Sequence, residues 1–185
     1  MTIEIIDDLL TDKETHHIEN FLMDNKFPWF LSQGYQNYTI DKGTYDRYAT
    51  KDRGEFVLLC HVFYLDTFRN SENYKLSDFI FDRFLQRTNI SISKLWRSKA
   101  NLQLKCNNGK LHTTPHTDRD EDHKVLIYYA NDSDGDTFFF DKQLNIIERV
   151  PPKKGRFVIF DGRTLHSAGF NTESEIRLNI NYNFI

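Results

Sequence analysis

The chain has 185 residues, a formal net charge of −3 at pH 7 and a sequence pI of about 6.2. This length fits one domain with a sizeable core, and the mildly acidic charge argues against nonspecific electrostatic binding of nucleic acid. Two cysteines, Cys60 and Cys106, are too few for a disulfide framework or a zinc cluster. Without a signal-peptide pattern or an apolar run of membrane-spanning length, we expect a cytoplasmic protein with no membrane partner.

Two helices are predicted in the N-terminal half. Thr11 and Glu14 form a capping-box pattern, and apolar residues follow at helical spacing before Pro28. A second helix is predicted to begin at Ser77, where four apolar residues share one face: Ile80, Phe81, Phe84 and Leu85.

The rest of the chain is predicted to be mostly strand. Aromatic residues make up 15% of the sequence, and they favour strands. Turn signals rich in Asn, Asp, Gly and Pro separate the predicted strands, which cover residues 55–65, 94–106, 124–130, 136–140, 144–150, 156–160 and 175–185. Many short strands after one or two helices predict a sandwich or a closed jelly roll.

The last predicted strand has one polar face and one apolar face. Successive side chains of a strand point to opposite sides, and the polar set here is Arg177, Asn179, Asn181 and Asn183. Such a face suits the lining of a wet pocket or a solvent-exposed edge, and the pattern does not choose between them.

The tripeptide His116-Thr117-Asp118 is the candidate centre of the chemistry. Residues two apart in an extended segment project to the same side, so an imidazole and a carboxylate can share one metal ion. The tripeptide alone is a weak signal in an acid-rich chain with 7 histidines. His166 follows 50 residues later, after a predicted strand and a turn, and Arg177 opens the last strand. Two histidines and one carboxylate on one face of iron leave positions open for other ligands, and a guanidinium can grip a carboxylate with two hydrogen bonds.

The segment from Cys106 to Tyr182 resembles the catalytic core of the prolyl 4-hydroxylase-like branch of the 2-oxoglutarate- and iron(II)-dependent dioxygenases. The resemblance rests on the order and spacing of several loose motifs. They are the His-x-Asp tripeptide, the strand Ile127-Tyr128-Tyr129-Ala130-Asn131, Gly135-Asp136-Thr137-Phe138 in place of a Gly-Gly-x-x motif, the pattern of Pro152, Gly155 and Phe160, and finally His166 and Arg177.

The resemblance implies a mainly β fold with flanking N-terminal helices, built as a double-stranded β-helix, the jelly-roll barrel that cupins also use. It implies one oxygenase domain over residues 1–185, with helical and strand support in 1–93 and the catalytic core in about 94–185.

The resemblance also implies the roles of individual residues. His116, Asp118 and His166 would be the catalytic iron(II) ligands, and Arg177 would bind the distal carboxylate of 2-oxoglutarate. Tyr129 would donate its hydroxyl to the same carboxylate, although a core tyrosine is the competing interpretation. In some relatives a tyrosine about ten residues before the His-x-Asp also touches the oxo-acid, and here Cys106 stands near that place. The expected cofactors are Fe(II), 2-oxoglutarate and O2, with ascorbate as an accessory reductant.

The leading functional hypothesis is hydroxylation of an unactivated C–H bond on a peptide or protein side chain, as in prolyl hydroxylases. A nucleic-acid demethylase of the AlkB type is an alternative. Arg177-Leu178-Asn179 matches the start of the R-x-N-x-x-x-R signature of that family, but Asn183 replaces its final Arg. A non-redox, cupin-like binding module or isomerase would not need Asp118 and Arg177 together. A zinc hydrolase is weaker still, since no H-E-x-x-H motif is present.

Several neighbouring segments receive secondary predictions. Residues 119–121 are predicted to form a solvated flap near the metal, and Asp132 to Asp136 to form a hairpin turn. His112 and His123 lie close enough in sequence to support the site without ligating. The pocket walls are predicted to include four tyrosines before the core, although packed cover is an equal alternative: Tyr35, Tyr38, Tyr45 and Tyr48.

Overall fold

The structure is a computed structural model that describes residues 2–32 and 56–185. The four tyrosines between positions 35 and 48 lie outside these residues. The described helices are α1 (Asp12–Met23) and α2 (Tyr74–Thr88). The described strands are β1 (Ile3–Ile6), β2 (Phe30–Leu31), β3 (Leu58–Leu65), β4 (Phe68–Arg69), β5 (Leu95–Leu104), β6 (Lys124–Tyr129), β7 (Thr137–Phe140), β8 (Ile146–Val150), β9 (Phe157–Asp161), β10 (Leu165–Ala168) and β11 (Ile176–Phe184).

Both predicted helices form. At the start of α1, the Thr11 hydroxyl accepts from the backbone N–H of Glu14, and the Glu14 carboxylate accepts from the backbone N–H of Thr11, as the capping box predicts. Helix α2 begins at Tyr74, three residues earlier than Ser77. The turn at Ser71 explains the earlier start, because its carbonyl and hydroxyl accept the first free backbone N–H groups.

The strands form two antiparallel sheets. The larger has the order β1-β9-β6-β11-β5-β3-β2, with β4 paired to β3, and the smaller has the order β10-β7-β8. Sequence patterns missed the two-residue strands β2 and β4. They also missed β1, which pairs with β9, and β10, which pairs with β7 and contains His166. Both are four-residue strands, too short to show a reliable alternation.

The larger sheet buries both of its faces. One face packs on α1 and α2 around a core that includes Ile18, Leu22, Phe84, Phe157 and Tyr182. The other faces the smaller sheet across a second cluster: Val125, Ile127, Tyr129, Phe139, Val150, Val158 and Phe160. This arrangement confirms the predicted mainly β jelly roll with flanking helices. Neither described helix is long and apolar enough to cross a membrane.

Strand β11 is central, because it pairs with β5 on one side and β6 on the other. Its apolar residues therefore face the helices, and its polar residues face the barrel interior. Arg177 is 4% exposed and Asn183 is fully buried. The polar face is therefore buried inside the barrel and is not a solvent-exposed edge.

Candidate active site

The backbone brings His116 and His166 together. The two residues exchange both backbone N–H···O hydrogen bonds, each 2.9 Å long, in an isolated antiparallel bridge beside β10. Directly opposed residues in such a pair hold their side chains close on one face, and the two imidazole centroids are 4.8 Å apart. The bridge explains how residues 50 positions apart reach one site.

Each imidazole is fixed by its own loop. Nδ1 of His116 lies 3.0 Å from the carbonyl oxygen of Thr114, and Nδ1 of His166 lies 3.0 Å from that of Thr164. A carbonyl only accepts, so Nδ1 carries the proton and Nε2 keeps its lone pair. Burial, together with the nearby His166, lowers the pKa of His116 to about 4, and burial also lowers the pKa of His166. Both rings are therefore neutral at pH 7, as a metal ligand requires.

The carboxylate of Asp118 is held by three donors. Arg97 donates to Oδ1 at 2.9 Å, and the side-chain amides of Asn181 and Asn183 donate to Oδ2 at 3.1 and 2.8 Å. Burial acts to raise the pKa of Asp118, but Arg97 and the two histidines outweigh it and hold the pKa well below its usual range. Asp118 is thus ionised, although its side chain is only 8% exposed.

One ligand atom from each of His116, Asp118 and His166 lies within 4.8 Å of the others. Metal bonds of about 2.1 Å place ligands on one face of an ion about 3 Å apart, so small side-chain rotations suffice to share one ion. The side-chain oxygens of Asn181 and Asn183 are buried without a hydrogen-bond partner, and water molecules on a metal ion could donate to them. Two neutral imidazoles, one carboxylate and these acceptors fit a hydrated iron(II) ion.

Arg177 lies on the same face of β11, four residues before Asn181 and therefore about 13 Å along the strand. Its Nε donates to the carbonyl of Gly135 at 2.6 Å, and its Nη2 donates to the hydroxyl of Thr137 at 2.9 Å. The Tyr129 hydroxyl lies 2.6 Å from the same Thr137 oxygen. These side chains form a buried polar cluster of the kind that can bind a carboxylate.

Two loops support the guanidinium. The carboxylate of Asp134 accepts the backbone N–H groups of Thr172, Glu173 and Ser174 at 2.8 to 2.9 Å, and so joins the β6–β7 loop to the loop before β11. A Cβ at Gly135 would lie 2.9 Å from Cδ of Arg177 and 2.9 Å from the carbonyl oxygen of Gly169. Only glycine therefore lets the Gly135 carbonyl reach the guanidinium.

Strand β5 contributes two cations to the same side of the sheet. Arg97 binds Asp118, and Lys99 lies two residues further along the strand. Burial, followed by the charge of Arg97, lowers the pKa of Lys99, while the charge of Asp118 acts to raise it. Its charge acts on His116 as well. Lys99 therefore belongs to the electrostatic surroundings of the triad.

The structure brings His116, Asp118 and His166 together and places Arg177 and Tyr129 side by side at Thr137. Tyr129 is fully buried, as a core tyrosine would be, yet its hydroxyl points into the polar cluster. The sequence analysis gave no role to four residues that the structure puts in the site: Arg97, Lys99, Thr137 and Asp134. Alternation on β5 could have found the first two, because Arg97, Lys99, Asn101 and Gln103 share one face.

The other histidines do not join the triad. His112 packs on Phe138 and Phe140 at centroid distances of 5.3 and 4.9 Å. His123 packs against Gly162, whose Cβ would lie 2.1 Å from its Nε2. In the flap, Arg119 stacks over the ring of Trp96 at 4.6 Å.

No protein-family model matches the sequence, and no curated protein matches it. Solved structures do match. A prolyl hydroxylase from Trichoplax adhaerens, in complex with a hypoxia inducible factor oxygen degradation domain peptide fragment, aligns with a TM-score of 0.65 and 15% identity. The alignment covers 99% of this chain and 83% of that one.

Two further structures widen the comparison. An oxidoreductase of the 2OG-Fe(II) oxygenase family from Burkholderia pseudomallei aligns with a TM-score of 0.68 and 9% identity, over 98% of this chain and 84% of that one. The epimerase SnoN from nogalamycin biosynthesis, in complex with Fe3+, alpha ketoglutarate and nogalamycin RO, aligns with a TM-score of 0.65 and 13% identity, over 99% and 78%. The fold is therefore that of the 2-oxoglutarate- and iron(II)-dependent oxygenases, as the motifs predicted.

Proposed function

We propose that the protein is an iron(II)- and 2-oxoglutarate-dependent dioxygenase that hydroxylates an unactivated C–H bond on a peptide or protein side chain. The observation that carries the proposal is that two neutral histidines, one ionised aspartate and a buried arginine all lie inside the same jelly roll. In this proposal His116, Asp118 and His166 bind the iron(II) ion. The ion and 2-oxoglutarate supply the oxidation of the substrate by O2.

The protein's own side chains would bind 2-oxoglutarate, orient the metal ligands and exclude water from the site. Arg177 binds the distal carboxylate of 2-oxoglutarate, with the Thr137 and Tyr129 hydroxyls beside it as further donors. Arg97 and the two asparagines keep Asp118 ionised and fix its orientation. Phe139 and Phe160 pack against His166 and keep water away from that side of the metal. Ascorbate would serve only to return oxidised iron to iron(II).

A peptide substrate is supported by the similarity of the fold to that of a prolyl hydroxylase whose structure contains a bound peptide fragment. The AlkB-type alternative is weaker. Asn183 stands at the final arginine position of that signature, and here it donates to Asp118. A binding module without redox chemistry would have no use for two neutral histidines and an ionised aspartate together with a carboxylate-binding arginine inside the same barrel.

The first test adds iron(II) and 2-oxoglutarate to the metal-free protein in the absence of oxygen, while the visible spectrum is recorded. We expect a weak metal-to-ligand charge-transfer band that is absent in His116→Ala and weakened in Arg177→Ala. His17→Ala is a matched control, because His17 is exposed on α1. In air, release of succinate with candidate peptides and oligonucleotides then identifies the substrate class. No band, or tight zinc binding without a band, would contradict the oxygenase proposal.

A further inference from the structure

Lys99 is the second basic residue that β5 places inside the proposed active site. It lies on β5 opposite Asn181 of β11 on one side and Val62 of β3 on the other. Because Asn181 donates to Asp118, Lys99 lies beside the metal ligands. Its side chain therefore lines the barrel interior, next to the place where a substrate must meet the metal.

Lys99 makes no hydrogen bond and no ion pair within residues 2–32 and 56–185. The carboxylate of Asp118 cannot readily serve as its partner, since Arg97 holds one oxygen and two asparagines hold the other. The side chain of Lys99 is half-buried, so its ammonium group is within reach of a ligand in the barrel interior. A basic side chain that is accessible and has no partner among the described residues can bind an anionic ligand.

The charges of the site lead to the same conclusion. In the proposed complex, the positive groups would be the iron(II) ion and the side chains of Arg97, Lys99 and Arg177. The negative groups would be Asp118 and the two carboxylates of 2-oxoglutarate. Both carboxylates of 2-oxoglutarate already have a partner, one in the metal ion and the other in Arg177. In this complex the positive groups would outnumber the negative ones, and Lys99 has no ion-pair partner among residues 2–32 and 56–185.

We propose that Lys99 binds an anionic group, a carboxylate or a phosphate, of the substrate that is oxidised. The inference rests on the proposed function and narrows it to acidic substrates, such as a peptide with an acidic side chain or terminus next to the oxidised carbon. A charged hydrogen bond from Lys99 would orient that carbon towards the metal.

The test uses the anaerobic complex of the protein with iron(II) and saturating 2-oxoglutarate. Four acids are titrated by calorimetry and by their effect on the charge-transfer band: acetate, benzoate, N-acetylglycine and N-acetylproline. Each is compared with its own primary amide, which keeps the shape and removes the charge. We expect at least one acid to bind about tenfold more tightly than its amide.

Three variants assign that preference to Lys99. Lys99→Met keeps the length of the side chain and should reduce the preference to less than about twofold, whereas Lys99→Arg should keep part of it. Lys94→Met is the matched control, because Lys94 is exposed just before β5. The affinity for 2-oxoglutarate should stay within about twofold of wild type in all three.

Each contrary outcome has its own meaning. If no acid binds better than its amide, or if Lys99→Met keeps the preference, Lys99 does not bind the substrate anion. If Lys99→Met instead weakens the binding of 2-oxoglutarate, the anion in question belongs to that molecule and the inference is wrong. Absence of the charge-transfer band in the wild-type protein is a different result, since it contradicts the proposed function itself.

Discussion

The side-chain amide of Asn183 donates to Oδ2 of Asp118 at 2.8 Å, although 65 positions separate the two residues. Asn181 donates to the same oxygen, so the central strand of the large sheet fixes the orientation of the carboxylate. A proposed metal ligand that lies in a loop is thereby held by a central strand in which all residues but the first are buried. This relationship leads to the first prediction.

We expect Asn183→Ala to weaken iron(II) binding by about tenfold or more, because loss of a hydrogen bond behind a metal ligand typically has that effect. The thermal midpoint should change less than the affinity for the metal. Anaerobic titration with iron(II), followed through the charge-transfer band, measures the affinity. Asn107→Ala is the control, since Asn107 is exposed in the loop after β5. Unchanged iron binding in Asn183→Ala would show that Arg97 and Asn181 together suffice to orient Asp118.

Thr137→Val should weaken the binding of 2-oxoglutarate by about tenfold, because it leaves the Tyr129 hydroxyl and Nη2 of Arg177 without their shared partner. The intensity of the charge-transfer band at increasing 2-oxoglutarate gives the dissociation constant. Iron binding in the absence of 2-oxoglutarate should be unchanged.

Tyr129→Phe, measured alongside, separates the two hydroxyls. If Tyr129 contacts the oxo-acid directly, Tyr129→Phe should lose at least as much affinity for 2-oxoglutarate as Thr137→Val does. If Tyr129 only packs in the core, Tyr129→Phe should lose almost no affinity for 2-oxoglutarate. Thr88→Val is the control, because the Thr88 hydroxyl donates only to a helix carbonyl in α2.

Asp134→Asn should destabilise the protein at pH 7 by about 1 kcal/mol. The expected loss is small because this carboxylate is exposed and solvent screens its interactions. Although burial acts in the opposite direction, the backbone N–H groups of Ser174, Glu173 and Thr172 lower the pKa of Asp134 below the usual 3.8. A lowered pKa stabilises the fold above pH 3.8, and the contribution is lost as the pH falls through the folded-state value.

Urea unfolding of the wild type and Asp134→Asn across this pH range tests the prediction. The difference in unfolding free energy should be constant at pH 5 to 7 and should shrink below about pH 3.8. Asp132→Asn, at an exposed residue of the same loop, controls for the loss of one charge. A difference that persists at the lowest pH would mean that the charge of Asp134 is not what joins the two loops.

The metal-free protein should lose stability as the pH falls from about 6.5 towards 4. Burial lowers the pKa of His116 from 6.5 to about 4, so in this window the unfolded chain takes up a proton that the folded chain does not. His166 acts in the same direction. Denaturant unfolding at several pH values should show that the unfolding free energy falls less in His116→Gln than in the wild type over this pH range. An equal loss in both proteins would exclude His116 as a cause.

The sequence by itself determined the fold class, because aromatic strands, turn residues and a capping box all act locally. It also selected His116, Asp118 and His166 as candidates, since a two-residue spacing and a distant histidine before an arginine can be read without coordinates. It could not choose between a pocket lining and an exposed edge for β11. That choice depends on which strands pair beside it, and pairing is a long-range property.

Only the tertiary structure decided which residues support the site. Thr137 became a candidate because β6, β7 and β11 bring it between Tyr129 and Arg177. Lys99 and Arg97 became candidates because β5 pairs with β11, which places their charges beside Asp118. A pattern of polar residues along one strand shows which side chains share a face. It cannot show what lies opposite that face, and for a charged group the opposite face determines whether it binds a neighbour or a ligand.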